Sequence, residues 1–148
     1  MTAPLLSLSR RLRRTPLTER VEAAGVQAYT VYNHMLLPTV FESVEADCAH
    51  LKRHVQLWDV GCQRQIEVAG PDARYLLQLC TPRDLAKLDY GQCRYAPLVA
   101  ADGGMLNDPV ILQVGADRYW VSIADHDIRV WMEGVANCRG LDVHVFEP

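Results

Sequence analysis

The sequence predicts an α+β fold in which helices pack on one face of an antiparallel sheet. Strand-like runs with alternating apolar and polar residues recur in the second half of the chain, from Gln65 onward and again over 141–146. A helical segment with an apolar stripe, formed by Ile128, Trp131 and Met132, lies between two such runs. Alternation leaves one sheet face in water, so the helices must cover the other face.

Turn and capping residues divide the chain into elements. The stretches 101–104 and 115–117 contain glycine and separate three strand-like runs, as hairpin turns do. An antiparallel meander is therefore the simplest arrangement of these runs. The predicted elements, in chain order, are a helix capped by Thr18 and ended by Gly25, an extended run over 26–32, a helix over 43–55 capped by Ser43 with an apolar stripe at Val44, Cys48, Leu51 and Val55, a strand around Ile66 and Val68, a helix from Asp72 to Leu79, strands over 93–99, 105–114 and 119–124, a helix from Asp125 to about Glu133, and a strand over 141–146.

Composition and charge exclude several classes of partner. The 148 residues are 49% hydrophobic, which is enough apolar surface to bury a core. The net charge of −3 arises from 15 basic and 18 acidic residues that are mostly interleaved, so we expect neither nucleic acid nor a membrane as partner. A basic cluster at Arg10, Arg11, Arg13 and Arg14 is interpreted as a solvated arm, with an anionic partner or a transit-sequence origin as open alternatives.

Cysteine usage and the length of the apolar runs indicate a location. The five cysteines are widely spread and never spaced Cys-x-x-Cys, as expected of reduced thiols in a cytosolic protein. The apolar runs are too short to span a membrane, and no apolar core of a signal peptide follows the N-terminal charges. We therefore expect a cytoplasmic protein.

The sequence offers one weak candidate for a metal site. His50 and His54 lie one helical turn apart, so both could bind the same ion. No glutamate follows the first histidine, however, and no third ligand is evident. An exposed helix face is the better interpretation, and no metal is predicted.

The stretch 103–112 contains a carboxylate, Asp108, within an otherwise apolar run. An ionised carboxylate is costly to bury without partners, so Asp108 must reach solvent, a partner or a ligand. Pro109 adds that the strand is interrupted or at an edge, because proline cannot donate to a sheet ladder. A ligand-binding role and a carboxylate satisfied by nearby backbone amides are equally compatible with this pattern.

Aromatic residues are numerous enough to line a pocket for a flat or cationic ligand, although such rings more often belong to a core. Tyr119 and Trp120 must point to opposite faces of their strand, so one packs while the other is available to the surface or a site. The candidate rings are Tyr29, Tyr32, Trp58, Tyr95, Tyr119 and Trp120.

Several segments resemble the folate-binding domain of the glycine-cleavage aminomethyltransferase family. Two further runs, over 9–16 and 29–39, are similar to the dimethylsulfoniopropionate demethylase branch of that family. The similarity covers essentially the entire chain. The segments that carry the family resemblance are Asp72 to Leu79, Gly91-Gln92-Cys93-Arg94-Tyr95, Gly103-Gly104-Met105-Leu106-Asn107-Asp108 and Trp58-Asp59-Val60.

The resemblance implies a set of site residues. The family typically carries two successive acids where this chain has Asn107-Asp108, so Asp108 keeps the carboxylate that contacts folate and is the predicted catalytic residue. Tyr95, Asn107 and Ser122 are the other predicted contacts with tetrahydrofolate. Tyr32 is the predicted substrate contact.

The resemblance also implies a function. We expect a tetrahydrofolate-dependent methyltransferase that demethylates dimethylsulfoniopropionate, or a similar small-molecule methyl donor, to give 5-methyltetrahydrofolate. Aminomethyl transfer in glycine cleavage stays open as an alternative, as does a non-catalytic, truncated folate-fold module.

Finally, the family implies a chain more than twice this long, with domains arranged in a ring around a folate channel. We expect a basic N-terminal arm over 1–17, the N-terminal segment of the first folate-binding subdomain over 18–60, and a ferredoxin-like β-α-β-β-β-α-β subdomain over 61–148. The chain alone is then an incomplete catalyst whose pocket is open on one side. Self-association or a second polypeptide would complete the fold.

Overall fold

The computed structural model describes residue 9 and residues 11–148. These residues form two compact units, one ending at Cys62 and the other running from Gln63 to Pro148. Both units combine helices with antiparallel strands, so the predicted α+β class is confirmed. Residues 1–8 and Arg10, which belong to the predicted basic arm, lie outside the described residues. The predicted division at residues 17 and 60 stays a prediction.

The first unit is built on a hairpin that the sequence analysis found only in part. Strand β1 (Ala28–Tyr32) pairs antiparallel with β2 (Met35–Val40), which was not predicted because the segment lacks alternation. Asn33 and His34 connect the strands with φ angles of 52° and 63°. Two consecutive left-handed residues are the geometry of a two-residue hairpin turn, whose twist matches that of the strands.

Helix α1 (Thr18–Ala23) precedes this hairpin, and its predicted cap is wrong. Thr18 is the first helical residue, and its hydroxyl accepts a hydrogen bond from the backbone N–H of Thr15 at 2.9 Å. The Thr15 hydroxyl in turn donates to Asp59 at 2.7 Å. Arg13, within the predicted arm, donates its backbone N–H to the carbonyl of His34 at 2.6 Å. The described end of that segment is therefore bonded to the hairpin.

Helix α2 (Val44–Arg53) has the predicted cap, since the Ser43 hydroxyl accepts from the backbone N–H of Ala46 at 3.1 Å. Its predicted apolar stripe is present but uncovered. No residue of the helix is buried, and the side chains of Val44 and Leu51 are 61% and 48% exposed. The apolar residues that follow the helix are exposed as well, Val55 to 95%.

The second unit contains seven strands and two helices among the described residues, namely β3 (Gln65–Ala69), α3 (Ala73–Cys80), β4 (Cys93–Tyr95), β5 (Leu98–Val99), β6 (Met105–Asn107), β7 (Val110–Gly115), β8 (Arg118–Ser122), α4 (Arg129–Arg139) and β9 (His144–Phe146). One antiparallel sheet has the strand order β4-β7-β8-β3-β9, and a separate ladder joins β5 to β6. Helices α3 and α4 connect strands of the larger sheet.

Two predicted strands are each divided in two. The run 93–99 breaks into β4 and β5 around Pro97, and the run 105–114 breaks into β6 and β7 around Pro109. Proline has no N–H for the ladder and restricts the residue before it, so each run leaves one sheet and enters the other. The predicted meander is therefore too simple, although β7 and β8 do form a hairpin.

Asp72 holds the predicted N-cap position of α3, whereas the predicted start of α4 is wrong. The Asp72 side chain makes no cap bond to α3, because its carboxylate accepts from the backbone N–H of Asp142 at 2.8 Å. Helix α4 begins at Arg129 rather than after Asp125, and it continues through Gly134 to Arg139. Gly140 ends it with a φ of 63°, the left-handed conformation that glycine adopts at helix C-termini.

The core of the second unit lies between the sheet and its two helices. Ile66, Val68, Ile111, Tyr119 and Val121 point from the strands toward this layer. They pack with residues of the two helices and of the loops beside them, namely Ala73, Leu76, Leu77, Cys80, Leu85, Leu88, Ile128, Met132 and Ala136. One face of the sheet is thus covered and apolar, as predicted.

The five cysteines form no disulfide. Cys62 and Cys80 are buried, and burial raises the pKa of the Cys80 thiol to about 11. The longest helix in the described part of the chain, α4, has 11 residues. No helix there combines the length and the apolar character that crossing a bilayer needs.

A single guanidinium, that of Arg74, joins α3 to the sheet and to the loop that leads into β4. It donates five hydrogen bonds of 2.8–3.2 Å, to the backbone carbonyls of Leu85, Ala86 and Leu88 and to the side chains of Tyr119 and Gln113. Its carbon also lies 5.8 Å from the centre of the Tyr119 ring. The planar group therefore satisfies carbonyls that no regular ladder serves.

We expect Arg74→Lys to lower the free energy of unfolding by about 2 kcal/mol, because an ammonium cannot reach all five acceptors and hydrogen bonds to charged groups are among the stronger ones. Urea unfolding followed by circular dichroism measures this. The matched control is Arg83→Lys, at an exposed arginine beyond the end of α3. Equal stability of both variants would contradict a central role for Arg74.

Candidate functional site

The candidate site lies on the sheet face that α3 and α4 leave uncovered. Alternation along each strand sends every second side chain to this face. Tyr119 points into the core and Trp120 points to this outer face, which answers the question that the sequence left open. The outward residues are Cys93, Tyr95, Val110, Leu112, Arg118, Trp120, Ser122, Gln65, Glu67, His144 and Phe146.

Strand register places four outward residues beside one another across the sheet. Tyr95 is opposite Val110, Val110 is opposite Ser122, and Ser122 is opposite Gln65. We call these four residues the Tyr95 row. Directly opposite side chains on neighbouring strands lie about 5 Å apart at their Cβ atoms, so a ligand of modest size can contact the whole row.

Asp108 lies at the edge of the Tyr95 row, between the end of β6 and the start of β7. Its side chain is exposed, as the sequence analysis required of an ionised carboxylate. The Tyr95 hydroxyl donates to the Asp108 carboxylate at 3.4 Å, a long hydrogen bond. The structure thus brings two predicted site residues together, with the carboxylate free to accept further hydrogen bonds.

Ser122 supplies the polar group in the middle of the row. Its hydroxyl oxygen accepts a hydrogen bond from the Gln65 amide at 3.0 Å. A hydroxyl that accepts from one side can still donate its own proton to another. Asp108 therefore presents a carboxylate acceptor beside Tyr95, and Ser122 presents a hydroxyl donor two strands away from Tyr95.

Asn107 points away from this face, since it precedes Asp108 in an extended segment. Its side chain is buried, and its amide is hydrogen-bonded to the backbone of the 124–126 loop. The predicted direct contact of Asn107 with tetrahydrofolate stays a prediction. What the geometry displays is an amide that ties the strand end to a loop.

The next row of the outer face contains a buried carboxylate that is fully paired. Glu67 receives two hydrogen bonds from the Arg118 guanidinium, at 2.9 and 3.0 Å, and one from the Trp120 indole at 2.8 Å. The bonds from Arg118, assisted by the one from Trp120, hold the pKa of Glu67 below its usual value against the opposing effect of burial. Glu67 is therefore ionised at neutral pH, and its carboxylate is engaged by Arg118 and Trp120.

Tyr32, the predicted substrate contact, belongs to the first unit. It ends β1 opposite Met35 and is half-buried. Its contact with a substrate stays a prediction.

His50 and His54, also in that unit, have ring centres 4.7 Å apart, and His50 contacts Gln56. Across the described residues, no group of three or more histidine, cysteine or acidic side chains is placed to hold a metal ion.

One residue near the site was missed by the sequence analysis. His126 contacts the backbone carbonyl of Leu106 through its Nδ1 atom at 2.8 Å. The two residues are 20 positions apart, and neither alternation nor spacing links them. The family resemblance was the one remaining signal. The segments quoted for it lie between residues 58 and 108, so they do not include His126.

Known proteins resemble this chain at the level of sequence and of fold. Residues 17–147 match the family described as the GCVT N-terminal domain. The chain is 58% identical over 140 residues to the dimethylsulfoniopropionate demethylase of Ruegeria pomeroyi, and the aligned region covers 95% of this chain and 38% of that protein. It is 30% identical over 112 residues to the aminomethyltransferase of Symbiobacterium thermophilum, covering 76% of this chain and 30% of that protein.

The fold agrees with these sequence matches. The crystal structure of glycine cleavage system aminomethyltransferase T from Bartonella henselae superposes with a TM-score of 0.78 at 26% identity, over 93% of this chain and 38% of that chain. The chain thus spans 30–38% of the length of these three relatives. The predicted resemblance is confirmed, and this chain belongs to the GCVT N-terminal domain family.

Proposed function

We propose that this chain forms part of a tetrahydrofolate-dependent methyltransferase that takes a methyl group from a sulfonium such as dimethylsulfoniopropionate. The observation that carries the proposal is the exposed Asp108 carboxylate beside the Tyr95 hydroxyl, in a chain 58% identical to a dimethylsulfoniopropionate demethylase. The chain spans 38% of that relative's length, so the activity is proposed for the site as completed by further polypeptide.

The residues of the Tyr95 row fit a folate. A pterin is flat and carries both donors and acceptors around its edge, and Tyr95 and Val110 offer it an aromatic ring and an apolar surface. Asp108 can accept from its N–H groups, and Ser122 can donate to its acceptors. Tetrahydrofolate, when bound, supplies the N5 nitrogen that accepts the methyl group.

Methyl transfer from a sulfonium makes modest demands on the protein. The breaking carbon–sulfur bond leaves its electron pair on sulfur, which becomes a neutral thioether, so no acid has to assist the leaving group. Asp108 would take up the one proton that the accepting nitrogen loses on methylation, directly or through water. The residues of the site otherwise contribute alignment of donor and acceptor, which is a large part of the rate in such reactions.

Calorimetric titration of the purified chain with tetrahydrofolate under anaerobic conditions tests the role of Asp108. We expect binding, weakened by about tenfold in Asp108→Ala because a charged hydrogen-bond acceptor is lost. Asp117→Ala, which removes an exposed carboxylate from the β7–β8 turn, is the matched control and should bind as the unaltered chain does. Equal affinity of all three proteins would remove Asp108 from the site.

Aminomethyl transfer is the second candidate reaction, favoured by the likeness to the aminomethyltransferases of Symbiobacterium thermophilum and Bartonella henselae. The two reactions differ in product. We expect the chain, or the chain combined with the polypeptide that completes it, to form 5-methyltetrahydrofolate from dimethylsulfoniopropionate, detected by liquid chromatography and mass spectrometry. Ammonia released from an aminomethylated lipoyl carrier would favour the alternative. Folate binding without either product would indicate a non-catalytic module.

We also propose that the apolar surface formed by α2 and the residues after it takes part in self-association. Leu51 is 48% exposed, and Val55, Leu57 and Trp58 are 95%, 100% and 65% exposed. Four exposed apolar side chains within residues 51–58 support an interaction site at this surface.

The five cysteines without a disulfide support a reducing, cytoplasmic location for the assembly.

Sedimentation velocity over a range of protein concentrations tests this surface. We expect the unaltered chain to associate as concentration rises and Leu51→Glu to weaken that association, because a carboxylate would be buried in the contact. Lys52→Glu, at the neighbouring exposed position, is the control for the change in charge. A chain that stays monomeric at all concentrations would leave completion of the fold to a different polypeptide and contradict self-association.

A further inference from the structure

We propose that Asn107 and His126 are positioning residues that hold Asp108 toward the Tyr95 row. The inference rests on the proposed function, because it concerns how its carboxylate is placed. Neither residue points to the outer face of the sheet, so each would act through the backbone of the segment that carries Asp108.

The Asn107 amide is committed to one loop. Its Nδ2 atom donates to the carbonyls of His126 and Ala124, at 2.9 and 3.4 Å, and its Oδ1 atom accepts from the N–H of Ala124 at 3.0 Å. The side chain is only 4% exposed. Because a buried amide is costly to leave without partners, these bonds fix the backbone of residue 107 against the 124–126 loop.

The side chain of His126 bonds to Leu106, the residue before Asn107. Its Nδ1 atom lies 2.8 Å from the carbonyl oxygen of Leu106. A carbonyl can only accept, so Nδ1 must carry the proton, in the neutral tautomer or in the imidazolium. The 124–126 loop is therefore hydrogen-bonded to two consecutive residues, Leu106 and Asn107, immediately before Asp108.

The segment is fixed on its other side as well. The carbonyl of Pro109 accepts from the backbone N–H of Ala96 at 3.0 Å, and the proline ring restricts φ. Asp108 thus stands between two anchored residues. Its own side-chain bond, to Tyr95, is long at 3.4 Å, so the anchors on either side set the direction in which the Asp108 side chain leaves the backbone.

A double-mutant cycle with tetrahydrofolate titration tests the proposal. We expect Asn107→Ala to weaken binding by about tenfold in the unaltered chain and to have little further effect in the Asp108→Ala background. A role in general stability would weaken binding equally in both backgrounds and would overturn the proposal. Asn137→Ala, at an exposed asparagine of α4, is the matched control and should leave affinity unchanged.

A conservative replacement separates the hydrogen bond of His126 from its bulk. Asparagine can place an N–H near the position of Nδ1, so we expect His126→Asn to keep the affinity that His126→Ala loses. If both variants bind as tightly as the unaltered chain, or if both lose affinity equally, the bond to Leu106 is not what positions Asp108.

Backbone NMR supplies a readout that needs no folate. In Asn107→Ala we expect the amide signals of Asp108 and Tyr95 to shift while those of the core residues Tyr119 and Val121 stay in place. Unmoved signals at Asp108 would overturn the positioning role. A chain that binds no folate but displays these shifts would contradict the proposed function and would still support the positioning role of Asn107.

Discussion

The guanidinium of Arg74 is the interaction on which the second unit depends, because it joins three parts of the chain that no ladder connects. Its five bonds go to the carbonyls of Leu85, Ala86 and Leu88 in the loop, to the Tyr119 hydroxyl and to the Gln113 side-chain oxygen. Gln113 belongs to β7 and Tyr119 to β8, so the loop is held against the strands beside β4. Tyr95 itself is positioned by the ladder of β4 with β7, which begins just after this loop.

The site then forms where regular pairing stops. Pro97 and Pro109 lie in neighbouring runs, and each lacks an N–H at the place where the chain leaves one sheet for the other. Asp108 lies between the two sheets and is exposed, although its neighbours Asn107 and Pro109 are buried. Exposure spares its carboxylate the cost of burial, which Glu67 in β3 meets with three hydrogen bonds.

The predicted caps at Ser43 and Asp72 differ in outcome because one depends on a local contact and the other on a distant one. The Ser43 cap involves a residue three positions away and was predicted correctly. Asp72 looks like a cap by the same rule, but its carboxylate is taken by a backbone N–H 70 positions along the chain, which no local pattern reveals. The site follows the same division. The exposure of Asp108 could be argued from the cost of burying charge. The inward direction of Asn107 depends on the 124–126 loop, which is distant in sequence and comes close only in the folded chain.

The pair Asn107-Asp108 illustrates how alternation assigns opposite tasks to adjacent residues. The resembling family typically has two acids here, and the structure explains why an amide suits the first position in this chain. Two carbonyls and one N–H face the side chain of residue 107, and an amide matches them with two donors and one acceptor. An ionised carboxylate at that buried position would oppose both carbonyls, and even a protonated one could donate to only one of them. The charge is therefore best carried by Asp108 alone, where solvent or a ligand can meet it.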